Sequence, residues 1–267
     1  MFRNLFCVLL LILSFSCSRK LIQPSFINFN LEKDSIYVIS KNNFYCPVFN
    51  KITNVKTNEI NFVQLEPNSS KVILKYHQSQ NDSISILKSY DFKQFYGRHH
   101  IESYDSTFNY ALPFLNNKKY KIIQAYNGDF THNNTLSRYT LDFKMNTGDT
   151  VVSARDGIVI KVIDRHNKQG VTKDFRPYAN YIIVYHQDNT IAQYVHLKQN
   201  GSLVKVGDSV KVNQPIALSG FTGWTTTPHL HFGVFKMVDD TQLVSIPIIL
   251  DSIDANTLKK GMIIFKN

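Results

Sequence analysis

Apolar and polar residues alternate along much of the chain, and the clearest run occupies residues 228–234. Its apolar positions begin at Leu230, and His229 and His231 hold the alternate positions. Successive side chains of a strand point to opposite faces, so this run predicts a strand with one face in the core and both imidazoles on the other. Two such histidines can share a metal site, can divide into one ligand and one acid–base group, or can simply lie at the surface.

The region from residue 24 to residue 112 also predicts short β-strands. Three runs are rich in β-branched and aromatic residues, and clusters of Asn, Asp and Ser separate them. These runs are 35–39, 59–63 and 71–76. Their spacing predicts a small antiparallel sandwich, and the region has no pattern of residues typical of catalysis.

A second predicted domain, residues 113–240, has the same strand-like pattern and no convincing amphipathic helix. The predicted strands are 120–126, 139–143, 148–162 with a tight turn at Asp156 and Gly157, 181–186, 192–197, 204–210 and 215–219. Residues 241–267 are predicted to form a C-terminal extension that packs back on the domains. The predicted fold class is therefore all-β, with a β-sandwich-like N-terminal domain followed by a domain built on a β-sheet.

Residues 1–16 have the pattern of a secretory signal. A short positive segment precedes an apolar stretch from Leu5 to Phe15, which is too short to cross a bilayer as a helix. The stretch ends in small residues before Cys17 and resembles a bacterial lipoprotein signal, although Ser14 stands where Leu is usual. Cys17 would then be the lipidated first residue of the mature chain and would attach it to a membrane, with residues 17–23 as a tether. An ordinary secretory signal cleaved nearby is the alternative.

Cysteine use and charge restrict the possible partners. Removal of Cys7 and acylation of Cys17 would leave Cys46 alone, so no disulfide within the chain is predicted. The formal net charge is +10, but Lys and Arg are dispersed, without a basic stripe or a recognised nucleic-acid module. We therefore predict no nucleic-acid partner, and a basic surface also suits an anionic cell wall or membrane face.

Two further residues carry candidate chemistry upstream of the predicted His229 strand. His132 ends a turn-forming segment, and Asp142 lies within an alternating apolar run. An aspartate inside a strand is unfavourable, so Asp142 predicts a compensating partner, and a cation would serve. Taken alone, His132 is equally compatible with an ordinary loop residue.

Six ordered sequence blocks together resemble the lysostaphin-type, or LytM-type, zinc peptidases, which cut peptide bonds in peptidoglycan. The blocks are 130–132, 141–143, 154–157, 194–197, 206–210, and 220–223 leading to 229–232. The resemblance covers residues 118–236 and implies a LytM-type antiparallel β-sheet peptidase domain. It also implies zinc as the cofactor and peptidoglycan as the partner.

The resemblance assigns a role to each of five residues. In that family a His, an Asp and the second His of the H-x-H strand bind zinc, which corresponds here to His132, Asp142 and His231, with one zinc per chain. The first His of that strand and the His of a Y-x-H-L block flank the water at the metal, which implies His229 and His196 as the catalytic pair. Three nitrogen and oxygen ligands leave a fourth position for water, as in catalytic zinc sites. A neutral imidazole can accept the proton of that water, and an imidazolium can stabilise the oxyanion or protonate the leaving amine.

The chain departs from the family pattern at two positions. The family commonly has its first ligand four residues before the Asp, where this chain has Arg138. His132 lies ten residues before Asp142 and matches a variant of the family with a longer loop. Thr227 replaces a usual Gly. His186 has a family counterpart, and we interpret it as a structural residue.

The leading hypothesis is a secreted, lipid-anchored zinc metalloendopeptidase of the cell envelope, facing the periplasm or the cell wall, that hydrolyses peptidoglycan cross-links or stem peptides. The main alternative is a catalytically inactive peptidoglycan-binding or hydrolase-regulating lipoprotein, because metal-less relatives of the family activate other wall hydrolases. A purely structural lipoprotein or substrate-binding module would explain the N-terminal domain but not the H-x-H strand. All five chemical positions are filled, which favours the enzyme.

Overall fold

The computed structural model describes residues 23–99, 104–238 and 242–267. The predicted signal segment and Cys17 lie outside these residues. Within the described part of the chain, no helix is long and apolar enough to cross a membrane. Strands dominate the described residues, so the predicted all-β fold class is confirmed.

The N-terminal region consists of two three-stranded antiparallel sheets. Its elements are β1 (Ile27–Glu32), β2 (Ser35–Lys41), β3 (Val48–Asn54), β4 (Ile60–Leu65), β5 (Ser70–His77), α1 (Ser83–Ser89) and β6 (Tyr90–Tyr96), with a 3₁₀ helix at Gln78–Gln80. The strand orders are β1-β2-β5 and β4-β3-β6. Buried apolar residues from both sheets form one hydrophobic cluster, which includes Val38 of β2 and Ile52 of β3. The two sheets therefore pack as layers around a shared core, as the strand pattern predicts.

Helix α1 differs from the sequence-based prediction, which places no helix in this region. Apolar and polar residues alternate at its start, as in a strand. However, the Asp82 carboxylate accepts a hydrogen bond from Ser85 N at 2.6 Å, and the Ser85 hydroxyl accepts one from Asp82 N at 3.0 Å. This reciprocal capping box satisfies two amide groups at the start of the helix. Ile86 is buried in the N-terminal cluster, so packing stabilises the same conformation as the cap.

The described residues from 104 onwards form seventeen short strands, which make up the C-terminal region. They are β7 (Asn109–Tyr110), β8 (Lys118–Gln124), β9 (Thr140–Lys144), β10 (Thr150–Val152), β11 (Gly157–Ile163), β12 (Gln169–Gly170), β13 (Tyr181–Tyr185), β14 (Ile191–Val195), β15 (Leu197–Ser202), β16 (Ser209–Val210), β17 (Pro215–Ser219), β18 (Gly223–Trp224), β19 (Leu230–Val238), β20 (Gln242–Ser245), β21 (Ile249–Leu250), β22 (Ile253–Asp254) and β23 (Ile263–Lys266). Two 3₁₀ helices occupy Lys173–Tyr178 and Ala255–Thr257.

A nine-stranded sheet organises this region. Its order is β16-β11-β13-β14-β19-β9-β8-β23, and β20 pairs with β19. All of these pairings are antiparallel. The main hydrophobic core lies between this sheet and the small sheet β10-β17-β15, because both contribute buried residues, among them Val151, Ala217, Tyr194 and Phe232.

The residues from 242 onwards are built into the same architecture. β23 pairs with β8 and β20 pairs with β19, while β21 lies parallel to β7. The buried Nζ of Lys266 donates hydrogen bonds to the carbonyl oxygens of Leu112 and Phe114 at 2.7 and 2.8 Å. These contacts hold the C-terminal strand at the edge of the sheet. The predicted segment boundaries, including the extension at 241–267, stay predictions.

The N-terminal region packs against the outer face of the nine-stranded sheet, the face turned away from the main core. Cys46 clusters there with Ile191 of β14 and with apolar residues of β11 and β13. By the alternation of the strand, Gln193 and Val195 point to the same face as Ile191, and they line a cavity. The N-terminal region and the cavity therefore share one face of the sheet and adjoin opposite ends of β14.

Candidate active site

Antiparallel pairing between β9 and β19 places Asp142 directly opposite His231. Both side chains lie on the outer face, because their neighbours Leu141 and Phe232 are buried in the main core. On the other side of Asp142, a register shift in the β8–β9 pair sets Gln124 opposite it. Three polar residues from distant parts of the sequence thus form one row across the sheet.

His132 joins this row from the segment between β8 and β9. Its side chain is fully buried, and Nδ1 donates a hydrogen bond to the Ala125 carbonyl oxygen at 3.0 Å. The preceding Thr131 is held to Gln124 by two hydrogen bonds, from its N–H to Oε1 at 3.1 Å and from Nε2 to its hydroxyl at 2.7 Å. This anchoring directs Nε2 of His132 towards Asp142, where it lies 3.3 Å from Oδ1.

His132, Asp142 and His231 form a group that could hold a metal ion. Nε2 of His132 and Nδ1 of His231 are 3.3 Å apart, and Asp142 Oδ1 lies 3.3 Å from the first and 2.8 Å from the second. Ligands bound at about 2.0–2.1 Å to one tetrahedral zinc ion lie about 3.3 Å from one another. The two distances from His132 match this value, and the distance from Asp142 to His231 is shorter because the two form a direct hydrogen bond. Two imidazoles and one carboxylate are a donor set that zinc accepts, and they leave one tetrahedral position open.

Hydrogen bonds behind these donors decide which atoms face the site. Gln124 Nε2 donates to Oδ2 of Asp142 at 2.9 Å, so Oδ1 is the oxygen turned towards the two histidines. In the same way, the Ala125 carbonyl oxygen accepts the hydrogen bond from Nδ1 of His132, so Nε2 is the nitrogen of this ring that faces the site. Such outer hydrogen bonds orient metal ligands and tune their basicity. Sequence reasoning missed Gln124, because no local pattern marks a glutamine at the end of a strand and only the register places it beside Asp142.

His196 and His229 lie next to the three donors. Their ring centroids are 4.6 Å apart, and His229 Nε2 is 3.8 Å from Asp142 Oδ1. Nδ1 of His196 donates to the Thr222 carbonyl oxygen at 2.7 Å, and Nδ1 of His229 donates to the Thr227 carbonyl oxygen at 2.8 Å. In each neutral ring Nε2 is therefore the nitrogen that can accept a proton.

The backbone of His196 is in the left-handed region, with φ of 64°. A residue with a Cβ atom pays about 1–2 kcal/mol for this conformation, which persists only where the surroundings determine it. The next residue, Leu197, is fully buried, and its N–H donates to the Asn180 carbonyl oxygen at 3.1 Å. The anchored turn between β14 and β15 thus places the His196 ring against His229.

Burial and neighbouring charges set the protonation of the site. Burial acts to raise the pKa of Asp142, but the surrounding histidines, His229 foremost, outweigh it and hold that pKa well below its usual range. Burial lowers the pKa of His196 to about 3, and the charges of His229 and His231 act in the same direction. Burial also lowers the pKa of His231, against the opposing effect of Asp142. At neutral pH an ionised carboxylate therefore lies beside neutral imidazoles at His196 and His231. For the two candidate ligands, Asp142 and His231, these are the protonation states that bind divalent metals.

The site opens into a cavity of about 1060 Å³. Asp142, His229 and His231 line it together with Phe130 and Trp224, whose ring centroids are 5.8 Å apart. A space of this size can take several residues of a peptide. The described lining residues lie between positions 123 and 260, so the N-terminal sheets do not contribute to it.

Two other residues singled out by the sequence lie apart from this site. The guanidinium of Arg138 lies 5.9 Å from the centroid of the Tyr139 ring, and Arg138 is not part of the described cavity lining. His186 is fully buried, donates from Nδ1 to the Asp156 carbonyl oxygen at 2.8 Å and packs edge-on against Tyr110. Arg138 and His186 are thus not among the three candidate donors, and the assignment of His132 as the first ligand stays a prediction.

Comparison with known proteins matches residues 137–243 to the family model described as Peptidase family M23. An uncharacterised metalloprotease of Buchnera aphidicola is 36% identical over 128 residues, which are 46% of this chain and 30% of that protein. The peptidoglycan DD-endopeptidase ShyB of Vibrio cholerae is 43% identical over 94 residues, 35% of this chain and 19% of ShyB. Lysostaphin of Staphylococcus simulans is 34% identical over 128 residues, 48% of this chain and 23% of lysostaphin. The chain thus spans less than a third of the length of these relatives.

Two solved structures align with parts of the chain. The catalytic domain of lysostaphin from Staphylococcus simulans has 28% sequence identity and a TM-score of 0.34, and the alignment covers 48% of this chain and 87% of that domain. A zinc-containing peptidase from Vibrio cholerae has 22% identity and a TM-score of 0.38, with 79% of this chain and 55% of that chain covered. The resemblance to Peptidase family M23 therefore rests on the sequence match over residues 137–243.

Proposed function

The chain carries a LytM-type domain of peptidase family M23, and from this premise we propose that the protein is a zinc metalloendopeptidase that hydrolyses peptide bonds of peptidoglycan cross-links or stem peptides. The observation that carries the proposal is the convergence of five side chains, with His132, Asp142 and His231 at metal-ligand distances and His196 and His229 beside them. The name of a relative supports the substrate class, since ShyB is a peptidoglycan DD-endopeptidase.

We assign one zinc ion per chain to the three donors. Nε2 of His132, Oδ1 of Asp142 and Nδ1 of His231 would hold it, and their mutual distances of 2.8–3.3 Å support this assignment. Gln124 and the Ala125 carbonyl orient two of the three ligands. When bound, zinc lowers the pKa of a coordinated water molecule towards about 7 and polarises the scissile carbonyl group.

His196 and His229 are assigned the proton transfers. A neutral imidazole accepts the proton of the attacking water at Nε2 and then gives it to the leaving amine, so both rings end the cycle as they began. Burial lowers the pKa of His196 to about 3, so that ring is neutral at pH 7 and holds a proton only while negative charge develops beside it. In that state the imidazolium also stabilises the oxyanion of the transition state.

Purified wild-type protein tests this proposal directly. Zinc content and release of soluble fragments from purified peptidoglycan are measured on the same sample. We expect about one zinc per chain, new amino termini in the digest, loss of both metal and cleavage with a chelator, and recovery when zinc is returned. Protein that holds zinc but releases no fragment from any peptidoglycan would overturn the proposal and favour the alternative, a peptidoglycan-binding or hydrolase-regulating lipoprotein.

The proposed substrate also implies a location. We place the protein in the cell envelope, attached to a membrane through lipidated Cys17 and facing the periplasm or the cell wall. The support is the signal-like segment that ends at Cys17, together with the substrate class that the relatives suggest. One acyl chain gives only marginal membrane binding, so stable attachment requires a second acyl chain or another contact.

A further inference from the structure

Two lysines that line the cavity come from outside the region matched to the peptidase family. Lys259 and Lys260 follow the end of the match at residue 243, and both side chains are exposed. They lie in the turn between the last 3₁₀ helix and β23. The C-terminal part of the chain therefore adds positive charge to the cavity, and this charge comes from residues outside the family match.

The position of this turn is fixed by the neighbouring strand. Gly261 N donates to the Ile122 carbonyl oxygen, and Ile122 N donates to the Met262 carbonyl oxygen, both at 2.8 Å. Gly261 has φ of 97°, a conformation that glycine adopts readily. Ile122 lies two residues before Gln124, the hydrogen-bond partner of Asp142, so the turn is attached to the strand that supports the candidate metal site.

A third cation lines the cavity from a different element. Arg176 belongs to the 3₁₀ helix Lys173–Tyr178, and its guanidinium lies 5.2 Å from the centroid of the Trp224 ring. The residue that follows this helix, Ala179, is packed closely on β18, since a Cβ atom added to Gly223 would lie 2.6 Å from Ala179 Cβ. Cations thus reach the cavity from two separately anchored segments.

The charges of the described cavity lining are unequal. Besides histidines, the lining contains the cations Arg176, Lys259 and Lys260 and the carboxylates Asp129 and Asp142. Asp142 is engaged by Gln124 and by the histidines of the candidate metal site. Only the exposed Asp129 remains to offset three cations in the described lining, and a bound zinc ion would add further positive charge.

We infer that these cations select peptides with free carboxylates close to the scissile bond. This inference rests on the proposed function, because it concerns which peptides reach the same hydrolytic site. Single exposed ion pairs contribute little, but like charges around one concave site jointly attract an anionic ligand. A neutral peptide, such as a run of glycines, offers these cations no partner.

Calorimetric binding measurements test the inference with a defined probe. The probe is the pool of soluble peptide stems from purified peptidoglycan, used with free carboxylates or after their conversion to amides. The zinc-loaded full chain with His229→Ala binds the probe without turnover. We expect amidation to weaken binding about tenfold, and the difference to shrink at high salt because ions screen exposed charges. Trp224 is the single tryptophan of the chain, so its fluorescence reports whether the probe enters the cavity.

Paired variants assign the preference to specific side chains. In the same background, Lys259→Gln with Lys260→Gln should reduce the tenfold difference to about twofold or less. Lys118→Gln with Lys119→Gln removes the same charge from exposed positions on β8 outside the cavity lining and should keep the difference. Arg176→Gln tests separately how much the 3₁₀ helix Lys173–Tyr178 contributes to the preference for free carboxylates. Equal affinity for the two forms of the probe, or a full preference in the Lys259/Lys260 variant, would overturn the inference.

Cleavage by zinc-loaded wild-type protein separates this inference from the proposed function. If both forms of the probe are cut and bound equally, the inference fails and the peptidase function stands. If the free-carboxylate form is preferred in binding but neither form is cut, carboxylate recognition stands and the peptidase function fails.

Discussion

His229 and His231 are two residues apart, yet their ring nitrogens have different surroundings. Nδ1 of His231 lies 2.8 Å from Asp142 Oδ1, whereas Nδ1 of His229 donates to the Thr227 carbonyl oxygen. The first nitrogen is therefore placed to share a cation with a carboxylate, and the second is occupied by the main chain. This difference supports separate roles for the two rings, one as a metal ligand and one in proton transfer.

The choice of first ligand is open to a direct test at the residue scale. His132→Ala removes a buried nitrogen 3.3 Å from both other donors and should lower zinc affinity by more than tenfold. Arg138→Ala should retain wild-type zinc content, since its guanidinium lies beside Tyr139. Zinc content after dialysis against metal-free buffer measures both effects. The opposite result, with zinc lost only in the Arg138 variant, would contradict the assignment of His132.

The catalytic pair can be separated from the ligands by comparing metal content with rate. His196→Ala and His229→Ala should keep zinc near the wild-type level but lower peptidoglycan cleavage by about 10²- to 10⁴-fold, as expected for acid–base groups. This loss corresponds to about 3–5 kcal/mol of transition-state stabilisation. If the two rings act as a unit, the double variant should be little worse than the worse single variant. Loss of zinc in His229→Ala but not in His231→Ala would mean that the two roles are exchanged.

At the scale of secondary-structure elements, the site depends on the register between β8 and β9. The register shift in this pair places Gln124 opposite Asp142, and the buried Gln124 side chain joins the Asp142 carboxylate to Thr131, next to His132. One side chain therefore couples a ligand on a strand to a ligand on the preceding loop. A change at Gln124 should disturb both ligands while leaving the strands in place.

Gln124→Ala should lower zinc affinity by about 10- to 100-fold, because outer hydrogen bonds of this kind orient ligands and raise their basicity. Gln193→Ala is the matched control, since Gln193 also lines the cavity but lies on β14, away from the Asp142 carboxylate. Competition with a chromogenic chelator measures both affinities. Equal affinities in the two variants would show that Gln124 has no part in metal binding.

The end of β13 carries a histidine whose burial affects stability. Burial lowers the pKa of His186 to about 4, although the hydrogen bond to the Asp156 carbonyl oxygen acts the other way. An unfolded histidine has a pKa of about 6.5, so the folded state resists protonation that the unfolded state accepts. Above about pH 6.5 the histidine is neutral in both states, so its protonation does not change the free energy of unfolding. As the pH falls from about 6.5 towards 4, only the unfolded state takes up the proton, and the free energy of unfolding decreases.

Urea unfolding at pH 7.0 and pH 4.5, in the presence of a chelator, should reveal this dependence. Because pH 4.5 is two units below the pKa of an unfolded histidine, this residue should lower the free energy of unfolding by about 2–3 kcal/mol at that pH. His186→Asn should lower stability at pH 7.0 but remove most of this loss, whereas His77→Asn, at an exposed position, should leave it unchanged. An equal loss in wild type and His186→Asn would refute the buried neutral state.

At the scale of the whole molecule, the N-terminal region and the cavity share the outer face of the large sheet. The arrangement leaves the cavity lined by the C-terminal region alone among the described residues. A tether at the N-terminus would therefore hold the molecule by the region beside the proposed site. Such an attachment would keep the protein at a membrane while the cavity stays open to a wall polymer.

The predicted anchor is tested by metabolic labelling with a fatty acid in cells. Cys17→Ser should abolish the acyl label and release the protein from membranes, because the proposed lipidation would use this thiol. Cys46→Ala is the control and should keep the label, since Cys46 is buried. A Cys17→Ser protein that retains its label would rule out the proposed attachment.

The sequence by itself determined the fold class, the resemblance to the LytM-type peptidases, and the strand that begins directly after His229 and carries His231. These features can be read from residues that are close together in the sequence, because the alternation of apolar and polar residues along a strand and a short motif are both local patterns. The all-β class and the resemblance to the LytM-type peptidases, matched over residues 137–243, are confirmed, while the roles of the five site residues stay predictions. Helix α1 escaped the same reasoning because its alternating start resembles a strand and its capping box and buried Ile86 decide the conformation.

Only the tertiary structure decided which atoms meet. The position of Gln124 opposite Asp142 depends on a register shift between strands that are distant in sequence. The approach of His132 depends on a loop held by Gln124, and Lys259 and Lys260 reach the cavity because β23 pairs with β8. Such contacts result from long-range strand pairing, in which a shift of one residue moves every side chain to the other face. A local pattern carries no information about that choice.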